Sequence, residues 1–136
     1  LDQQIVESAG KSIATIFEED GESVFRDLET NCLRTLTASQ PSVVSTGGGV
    51  VGRLQNREFM HQHGIVVYLF AEWETLKQRV GEDPERPLAR TADDWSTTKL
   101  LWLERQPLYE QADFVVRTDR QTVAESVREI RSYVAL

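Results

Sequence analysis

Ile65-Val-Val-Tyr-Leu-Phe70 is the most strand-like segment of the sequence. It is a continuous apolar run of β-branched and aromatic residues, the pattern of a strand that is covered on both faces. A helical pattern follows from Ala71 to Val80, with an apolar stripe that begins at Trp73. A strand that leads directly into a helix is typical of α/β proteins, in which parallel strands alternate with helices.

The same two patterns recur on both sides of this segment. The further elements that we predict are a helix from Glu22 to Thr37, a short buried strand at Val43–Thr46, helices over Asn56–His63 and Trp95–Glu104, a strand over Ala112–Arg117, and a last helix with the stripe Val123, Val127, Ile130 and Val134. Strands separated by helices predict a parallel sheet with helices on both faces. Because doubly wound sheets rarely have only three strands, we expect that an N-terminal segment is missing from this sequence.

Length and composition indicate one globular domain. The chain has 136 residues, of which 40% are hydrophobic, and its one cysteine, Cys32, cannot form an internal disulfide. No apolar run approaches the roughly 20 residues of a membrane span and no signal peptide is visible, so we expect a cytoplasmic protein without membrane contact. The formal net charge of −7 argues against a nucleic-acid binder, which would normally carry a basic face.

Gly10-Lys11-Ser12 resembles the end of a phosphate-binding P-loop, whose full pattern is G-x-x-x-x-G-K-[ST]. The first glycine of that pattern would fall on Ile5, and no strand-like run precedes it. We therefore predict a helix end at Gly10 followed by a helix that Ser12 caps.

Three consecutive glycines, Gly47-Gly48-Gly49, directly follow the predicted strand Val43–Thr46. In open α/β sheets ligands bind beyond the carboxyl ends of the strands, and glycines there would let a ligand reach the backbone amides. The alternative is a tight turn that needs positive φ angles. The sequence alone leaves both open.

Several arginines are candidates for binding an anion. Arg26 can bind a carboxylate in bidentate fashion, although Glu22, four residues earlier, offers it a helical ion pair. Arg86 and Arg90 lie in a polar segment from Gly81 to Asp94, whose length and prolines predict a functional lid or disorder. Arg105 is predicted to end a helix, where a cation is favoured in any case.

Three further residues, an aspartate and two histidines, have side chains that could bind a ligand. Asp2 could cap the first helix, or it could be a carboxylate at the end of a strand that orients or deprotonates a hydroxyl. His61 and His63 are two residues apart on a predicted helix and face different directions, which argues against a metal site there.

Taken together, these segments resemble shikimate kinases over nearly the whole chain. The matching segments are Asp2-x-x-Ile5, Gly10-x-x-Ile13-x-x-Ile16-Phe17, Gly21-Glu22-x-x-Phe25-Arg26-x-x-Glu29, Ser45-Thr46-Gly-Gly-Gly49, Asn56-Arg57, Val67-Tyr68-Leu69, Arg86-Pro87-Leu88 and Arg105-x-Pro-Leu-Tyr109. Phe-Arg, Thr-Gly-Gly-Gly and Arg-Pro-Leu at these separations form a specific combination, which related small-molecule kinases would not be expected to share.

The resemblance implies a P-loop kinase-type fold and transfer of the γ-phosphoryl group of ATP, with Mg²⁺, to the 3-hydroxyl of shikimate, a step toward chorismate and the aromatic amino acids. It implies that Asp2 binds the substrate hydroxyls and acts as the base, and that Arg86 reaches the ATP phosphates. The residues implied to bind shikimate are Asp2, Arg26, Gly47, Gly48, Gly49 and Arg105. Arg79 and Arg120 fall where the family contacts adenine. Residues 1–63 would carry the acceptor-binding helices and the glycine loop, and residues 81–95 the lid.

The family's P-loop, with its lysine and its Mg²⁺ ligand, has no counterpart in this sequence. The resemblance would place that segment, the first strand and the first aspartate of Asp-x-Asp before Leu1, and this chain would hold no metal ligand of its own. We therefore expect the 136-residue chain by itself to be poorly stable and inactive. The alternatives are a kinase-like protein that binds shikimate or a partner without catalysis, and a kinase for a sugar acid such as gluconate. The resemblance implies a monomer.

Overall fold

The computed structural model describes residues 1–37, 40–82 and 95–135, which form two compact units, Leu1–Gly64 and Ile65–Leu136. The helices and strands, in chain order, are α1 (Asp2–Ala9), α2 (Ile13–Glu19), α3 (Glu22–Thr37), a 3₁₀ helix (Gly48–Gly52), α4 (Leu54–His63), β1 (Val67–Phe70), α5 (Trp73–Glu82), α6 (Ser96–Tyr109), β2 (Phe114–Arg117), a second 3₁₀ helix (Thr118–Arg120) and α7 (Val123–Val134).

The first unit is built around the contact of three helices. Ile5 of α1, Ile16 of α2 and Phe25 of α3 form its buried cluster, and the rings of Phe17 and Phe25 are 4.7 Å apart. The apolar stripe of α3 therefore fixes this helix against α1 and α2. The next residue after Phe25, Arg26, lies at the edge of the buried stripe.

The junction between α1 and α2 is the one expected from the sequence. Gly10 ends α1 in the left-handed conformation, with φ of 70°, and its N–H donates to Val6 O. Ser12 caps α2, because its side chain accepts a hydrogen bond from the Thr15 N–H. Lys11 contacts both Glu19 and Asp20, and hydrogen bonds to Asp20 and then Glu19 raise its pKa. The tripeptide is thus a helix junction whose lysine is already paired.

The second unit contains a two-stranded parallel sheet. Val67 pairs with Phe114 and Phe70 with Arg117, and the connection between the strands carries α5 and α6. Such a crossover is what a parallel pair requires. Tyr68 stacks on Tyr109 of α6 at 5.0 Å, and Phe114 stacks on Tyr133 of α7 at 4.1 Å. None of the helices in these described ranges is long and apolar enough to cross a membrane.

The predicted strand at Val43–Thr46 is wrong. Residues 41–47 form neither helix nor strand, and Val43 is 96% exposed. A β-branched run becomes a strand only when its backbone groups pair with another strand, and β1 and β2 pair with each other. The described residues therefore contain two strands rather than three.

Helix boundaries also differ from the prediction. α6 runs on to Tyr109 through Pro107, so Arg105 lies inside this helix and does not end it. Asp2 is the first residue of α1, and the capping position belongs to Leu1, so the prediction of Asp2 as a cap is wrong. In contrast, α3 and α7 cover the residues that their apolar stripes predict.

The start of α7 offers a local test of this fold. Thr122 accepts from the Glu125 N–H at 3.2 Å, and the Thr122 N–H donates to the Glu125 carboxylate at 2.7 Å. We expect Thr122→Ala to lower the free energy of unfolding by about 1 kcal/mol, because a helix-capping oxygen is lost. Urea unfolding followed by circular dichroism measures the change. The matched control Thr122→Ser keeps the oxygen, and an equal loss in this variant would contradict the capping role.

Candidate functional site

Arg26 of α3 lies against the backbone of the glycine turn, a name used here for Gly47 together with the 3₁₀ helix Gly48–Gly52. A Cβ atom built on Gly49 would overlap the guanidinium group, at 2.6 Å from the Arg26 Cζ atom. The Arg26 Cζ atom also lies 5.1 Å from the centre of the Phe25 ring. Only glycine at position 49 lets Arg26 occupy this place.

This contact answers the question that the three glycines raised. Among the described residues the glycines with positive φ are Gly10 and Gly21, so the glycine turn does not need the left-handed conformation. The prediction of a turn with positive φ is therefore wrong. Gly49 is required by the close approach of a side chain, the Arg26 guanidinium.

Two glutamates hold Arg26 in this position. Its Nη1 donates to Glu29 Oε1 at 2.9 Å, and the Glu29 side chain is only 2% exposed. Its Nη2 lies 3.4 Å from Glu22 Oε1, and the Glu22 side chain is 66% exposed. A guanidinium has five N–H donors, so these two bonds leave donors available for a ligand.

Asp2 reaches the same turn from α1. A Cβ atom on Gly47 would lie 3.9 Å from Asp2 Oδ1 and 3.8 Å from Glu29 Oε2. The structure thus brings together one cation and two carboxylates beside a backbone that has no side chains. This arrangement can bind an anionic group at Arg26 and accept a hydrogen bond from a hydroxyl at Asp2.

The glycine turn is connected to its neighbouring helices by three side chains. Asn56 Nδ2 donates to Val50 O at 3.0 Å, and Arg57 Nη1 donates to Val51 O at 2.7 Å. Arg53, directly after the turn, pairs with Asp27 of α3 at 2.8 Å. The turn therefore has fixed contacts with both α3 and α4.

In the second unit, the two predicted adenine-binding arginines lie near the same short 3₁₀ helix. Arg79 of α5 donates to Thr118 Oγ1 at 3.0 Å and to Thr118 O at 3.1 Å, and Arg120 ends the same short 3₁₀ helix. The Thr118 hydroxyl in turn donates to Phe70 O at the end of β1. These contacts place Arg79 beside the turn that carries Arg120.

Asp119 fixes this turn to the sheet. Its carboxylate accepts a hydrogen bond from the Glu72 N–H at 2.9 Å and lies 3.3 Å from Arg117 Nη2. The hydrogen bond from Glu72, followed by the interaction with Arg117, lowers the pKa of Asp119 below its ordinary value. The carboxylate therefore stays ionised and keeps the turn in place at neutral pH.

Of the two remaining predicted site arginines, the structure describes Arg105 but not Arg86. Arg105 is half-buried in α6 and makes no hydrogen bond or ion pair with any residue of the described ranges. Arg86 and Arg90 lie outside the described residues, as does most of the predicted lid. In the described parts of the chain no group of three or more His, Cys, Asp or Glu side chains could hold a metal ion.

Sequence reasoning missed the position of Glu29. This residue belongs to the quoted pattern, but no role followed from it, because a glutamate on a helix is normally solvated. Its spacing of three residues from Arg26 was the available signal, since residues at this spacing share a helix face. The burial of Glu29 could not be read from that spacing.

The first unit places an arginine against a glycine turn, an arrangement that can bind an anion, and the second has the parallel strand pair of an α/β protein. The family model "Shikimate kinase" matches residues 1–135. A shikimate kinase of Ruegeria pomeroyi is 41% identical over 126 residues, which are 93% of this chain and 65% of that protein. One of Nitrosococcus oceani is 41% identical over 137 residues, covering 97% of this chain and 72% of that protein.

Solved structures agree with the sequence comparison. The shikimate kinase from Acinetobacter baumannii in complex with shikimate has a TM-score of 0.88 and 34% identity, and covers 98% of this chain and 76% of that one. The shikimate kinase from Bacteroides thetaiotaomicron has a TM-score of 0.86 and 29% identity, with 99% and 81% covered. The chain belongs to the shikimate kinase family, and it spans about two thirds to three quarters of the length of the curated relatives named here.

The two glutamates that pair with Arg26 provide a test of the site's geometry. We expect Glu29→Leu to lower the free energy of unfolding by about 1–3 kcal/mol, because a partly buried guanidinium loses its close partner. The matched control Glu22→Leu removes an exposed partner of the same arginine, and we expect a change below about 0.5 kcal/mol. Urea unfolding of both variants measures the difference. Equal losses would show that burial does not distinguish the two pairs.

Proposed function

We propose that this protein transfers the γ-phosphoryl group of ATP to the 3-hydroxyl of shikimate. The observation that carries the proposal is the Arg26 guanidinium on Gly49, with Asp2 beside Gly47. At one glycine turn, the Arg26 guanidinium offers hydrogen-bond donors to the carboxylate of shikimate, and the Asp2 carboxylate can accept hydrogen bonds from the hydroxyls of shikimate. The Acinetobacter baumannii shikimate kinase, which shares the fold, was solved in complex with shikimate, and this supports the choice of acceptor.

In this proposal Arg26 binds the shikimate carboxylate, and Gly47, Gly48 and Gly49 line the same pocket. Glu29 keeps the guanidinium in position, since it is buried and bonded to Nη1. The exposed bond to Glu22 is longer, so the donors on that side are the ones that a carboxylate can reach most easily. We assign Arg105 to shikimate binding on the motif Arg105-x-Pro-Leu-Tyr109, which the chain shares with the family pattern.

Asp2 is the proposed base. Its carboxylate is exposed at the start of α1 and can accept a hydrogen bond from the hydroxyl that is to be phosphorylated. Asp2 would orient that hydroxyl and take its proton as the oxygen attacks the phosphoryl group. Phosphoryl transfer depends mainly on positioning and on charge stabilisation, and a carboxylate at the start of a helix beside the glycine turn supports positioning.

On the nucleotide side, we assign Arg79 and Arg120 to the adenine and Arg86 to the phosphates. The support for the first two is that Arg79 donates to Thr118, which begins the 3₁₀ helix that Arg120 ends. Arg86 rests on the Arg-Pro-Leu motif alone. Mg²⁺ would neutralise phosphate charge when bound with ATP. The described residues do not form a metal site, so no step is assigned to the ion.

We also propose that the protein acts as a cytoplasmic monomer, which the family resemblance suggests. The sequence of 136 residues has no G-x-x-x-x-G-K-[ST] segment, and Lys11 is paired within its helix junction. The 136 residues by themselves are therefore proposed to be inactive. Activity should be measured on the protein expressed from the complete coding sequence.

A coupled assay of ADP release tests the substrate. We expect turnover with shikimate to exceed turnover with gluconate by about tenfold or more at equal concentration, because the site pairs with a ring that presents its carboxylate and hydroxyls in fixed directions. Equal turnover would refute shikimate as the preferred acceptor. Binding of shikimate without ADP release would instead favour a non-catalytic binding protein.

Substitution of Arg26 tests the carboxylate role. We expect Arg26→Ala to lower kcat/KM for shikimate roughly ten- to a hundredfold, because charged hydrogen bonds to the acceptor are lost, and to leave KM for ATP within about twofold. Steady-state kinetics with each substrate varied in turn measures both. Arg131→Ala, an exposed arginine of α7, is the control. Unchanged shikimate kinetics in Arg26→Ala would leave its ion pairs with Glu29 and Glu22 as its whole role.

A further inference from the structure

The glycine turn has few means of fixing its own conformation. Three consecutive glycines have more backbone freedom to lose than any other residues, and they have no side chains that could anchor them. Within the turn, the Val50 N–H donates to Gly47 O at 3.4 Å, near the long limit for a hydrogen bond. The turn must therefore be fixed from outside.

Two consecutive side chains of α4 supply this support. Asn56 and Arg57 donate to two consecutive carbonyl groups, those of Val50 and Val51, which directly follow Gly49. Asn56 is 1% exposed, and both valines are buried as well. These residues, of which all but the half-buried Arg57 are buried, connect the glycine turn to a helix, and a helix is the more rigid of the two.

The contacts of Asn56 indicate that its Nδ2 donor is the group that has a role at this position. Its Oδ1 is buried and has no hydrogen-bond partner among the described residues, which costs free energy that an apolar residue of similar size would avoid. The Nε of Arg57 is likewise buried, and no residue in the described part of the chain bonds to it. A side chain that only filled space here would be expected to be apolar, so the bonds to the turn have a more specific effect.

The position of the glycine turn also controls the position of Arg26. The guanidinium lies so close to Gly49 that a single Cβ atom would displace it. A shift of a few tenths of an ångström in the turn must therefore be accommodated by Arg26. Its other contacts among the described residues are with Glu29, Glu22 and the ring of Phe25. Gly49 is bonded directly to Val50, the residue that Asn56 contacts.

We propose that Asn56 and Arg57 are positioning residues for the acceptor's carboxylate. They fix the Val50 and Val51 carbonyls, these fix Gly49, and Gly49 determines where the Arg26 guanidinium lies. The proposal rests on the proposed function, because it assumes that Arg26 binds the carboxylate of shikimate. Neither side chain needs to touch the substrate.

Kinetics of the protein from the complete coding sequence test this proposal. We expect Asn56→Ala to raise KM for shikimate about tenfold, because misplaced binding groups weaken binding, and to leave KM for ATP within about twofold. KM for the carboxamide of shikimate should change less, since that compound does not present a charge to Arg26. In an Arg26→Ala background, Asn56→Ala should add less than about twofold, as coupled residues do.

The control is Val116→Ala, which removes buried volume from β2 in the other unit. It should lower Tm without a selective change in KM for shikimate. If Asn56→Ala behaves in this way, or adds its full effect in the Arg26→Ala background, the positioning role is refuted. Arg57→Ala provides the same measurements at a half-buried position if Asn56→Ala does not fold. Failure of both variants to fold would assign the pair to stability and overturn the proposal.

Turnover of shikimate by the unsubstituted protein is measured first, because this result separates the two proposals. Its absence would contradict the proposed function, and with it the positioning roles that depend on that function. An active protein whose Asn56 and Arg57 variants keep their KM for shikimate would contradict the positioning roles alone.

Discussion

The contact between the Arg26 guanidinium and the Gly49 backbone is the constraint on which the site depends. A guanidinium keeps its charge at any physiological pH, so it can be held at 20% exposure only where partners compensate for lost hydration. Glu29 provides that compensation from a nearly buried position, and the face of Phe25 lies beside the cation. Gly49 contributes by having no side chain. The nearly buried Glu29 carboxylate and the partly buried guanidinium would each be unfavourable without the other.

One helix joins this site to the core of its unit. Phe25 of α3 packs between α1 and α2, and Arg26 and Glu29, three residues apart, lie on a neighbouring face of the same helix. Packing of the apolar stripe therefore also sets the position of the charged pair. A change that weakens the cluster around Phe25 would also displace Arg26, so the stability of this unit and the geometry of its candidate site are linked.

The accuracy of the sequence predictions follows the range of the interactions involved. The bounds of α3, the existence and stripe of α7 and the junction at Gly10 and Ser12 were predicted correctly, because stripes and caps are properties of nearby residues. The strand at Val43–Thr46 was wrong because a strand requires a partner that its own residues do not specify. The continuation of α6 through Pro107 was missed because proline usually marks a helix boundary.

In the site as well, features that depend on how the helices pack could not be predicted from the sequence. The family resemblance singled out Arg26, Asp2 and the glycines, and the structure shows that they lie together, although their roles remain predictions. It did not reveal why Gly49 must be a glycine or that Glu29 is buried, since both depend on how α3 packs against the turn. Asn56 and Arg57 belong to the segments that resemble the family, but no role was predicted for them. Their hydrogen bonds to Val50 and Val51 depend on the fold and are seen only in the structure.

The negative charge of the chain is compatible with an anionic acceptor because binding is decided locally. The net charge of −7 acts through solvent, where fields fall off over about 8 Å at physiological ionic strength. A carboxylate at Arg26 would instead form direct, charge-assisted hydrogen bonds. Of the two glutamates already paired there, Glu22 is exposed and 3.4 Å away, whereas Glu29 is nearly buried at 2.9 Å. Displacing Glu22 returns a carboxylate to water at little cost, whereas displacing Glu29 would leave a charge buried without its partner. An incoming carboxylate should therefore replace Glu22 and leave Glu29 in place, so the arginine stays oriented while its ligand changes.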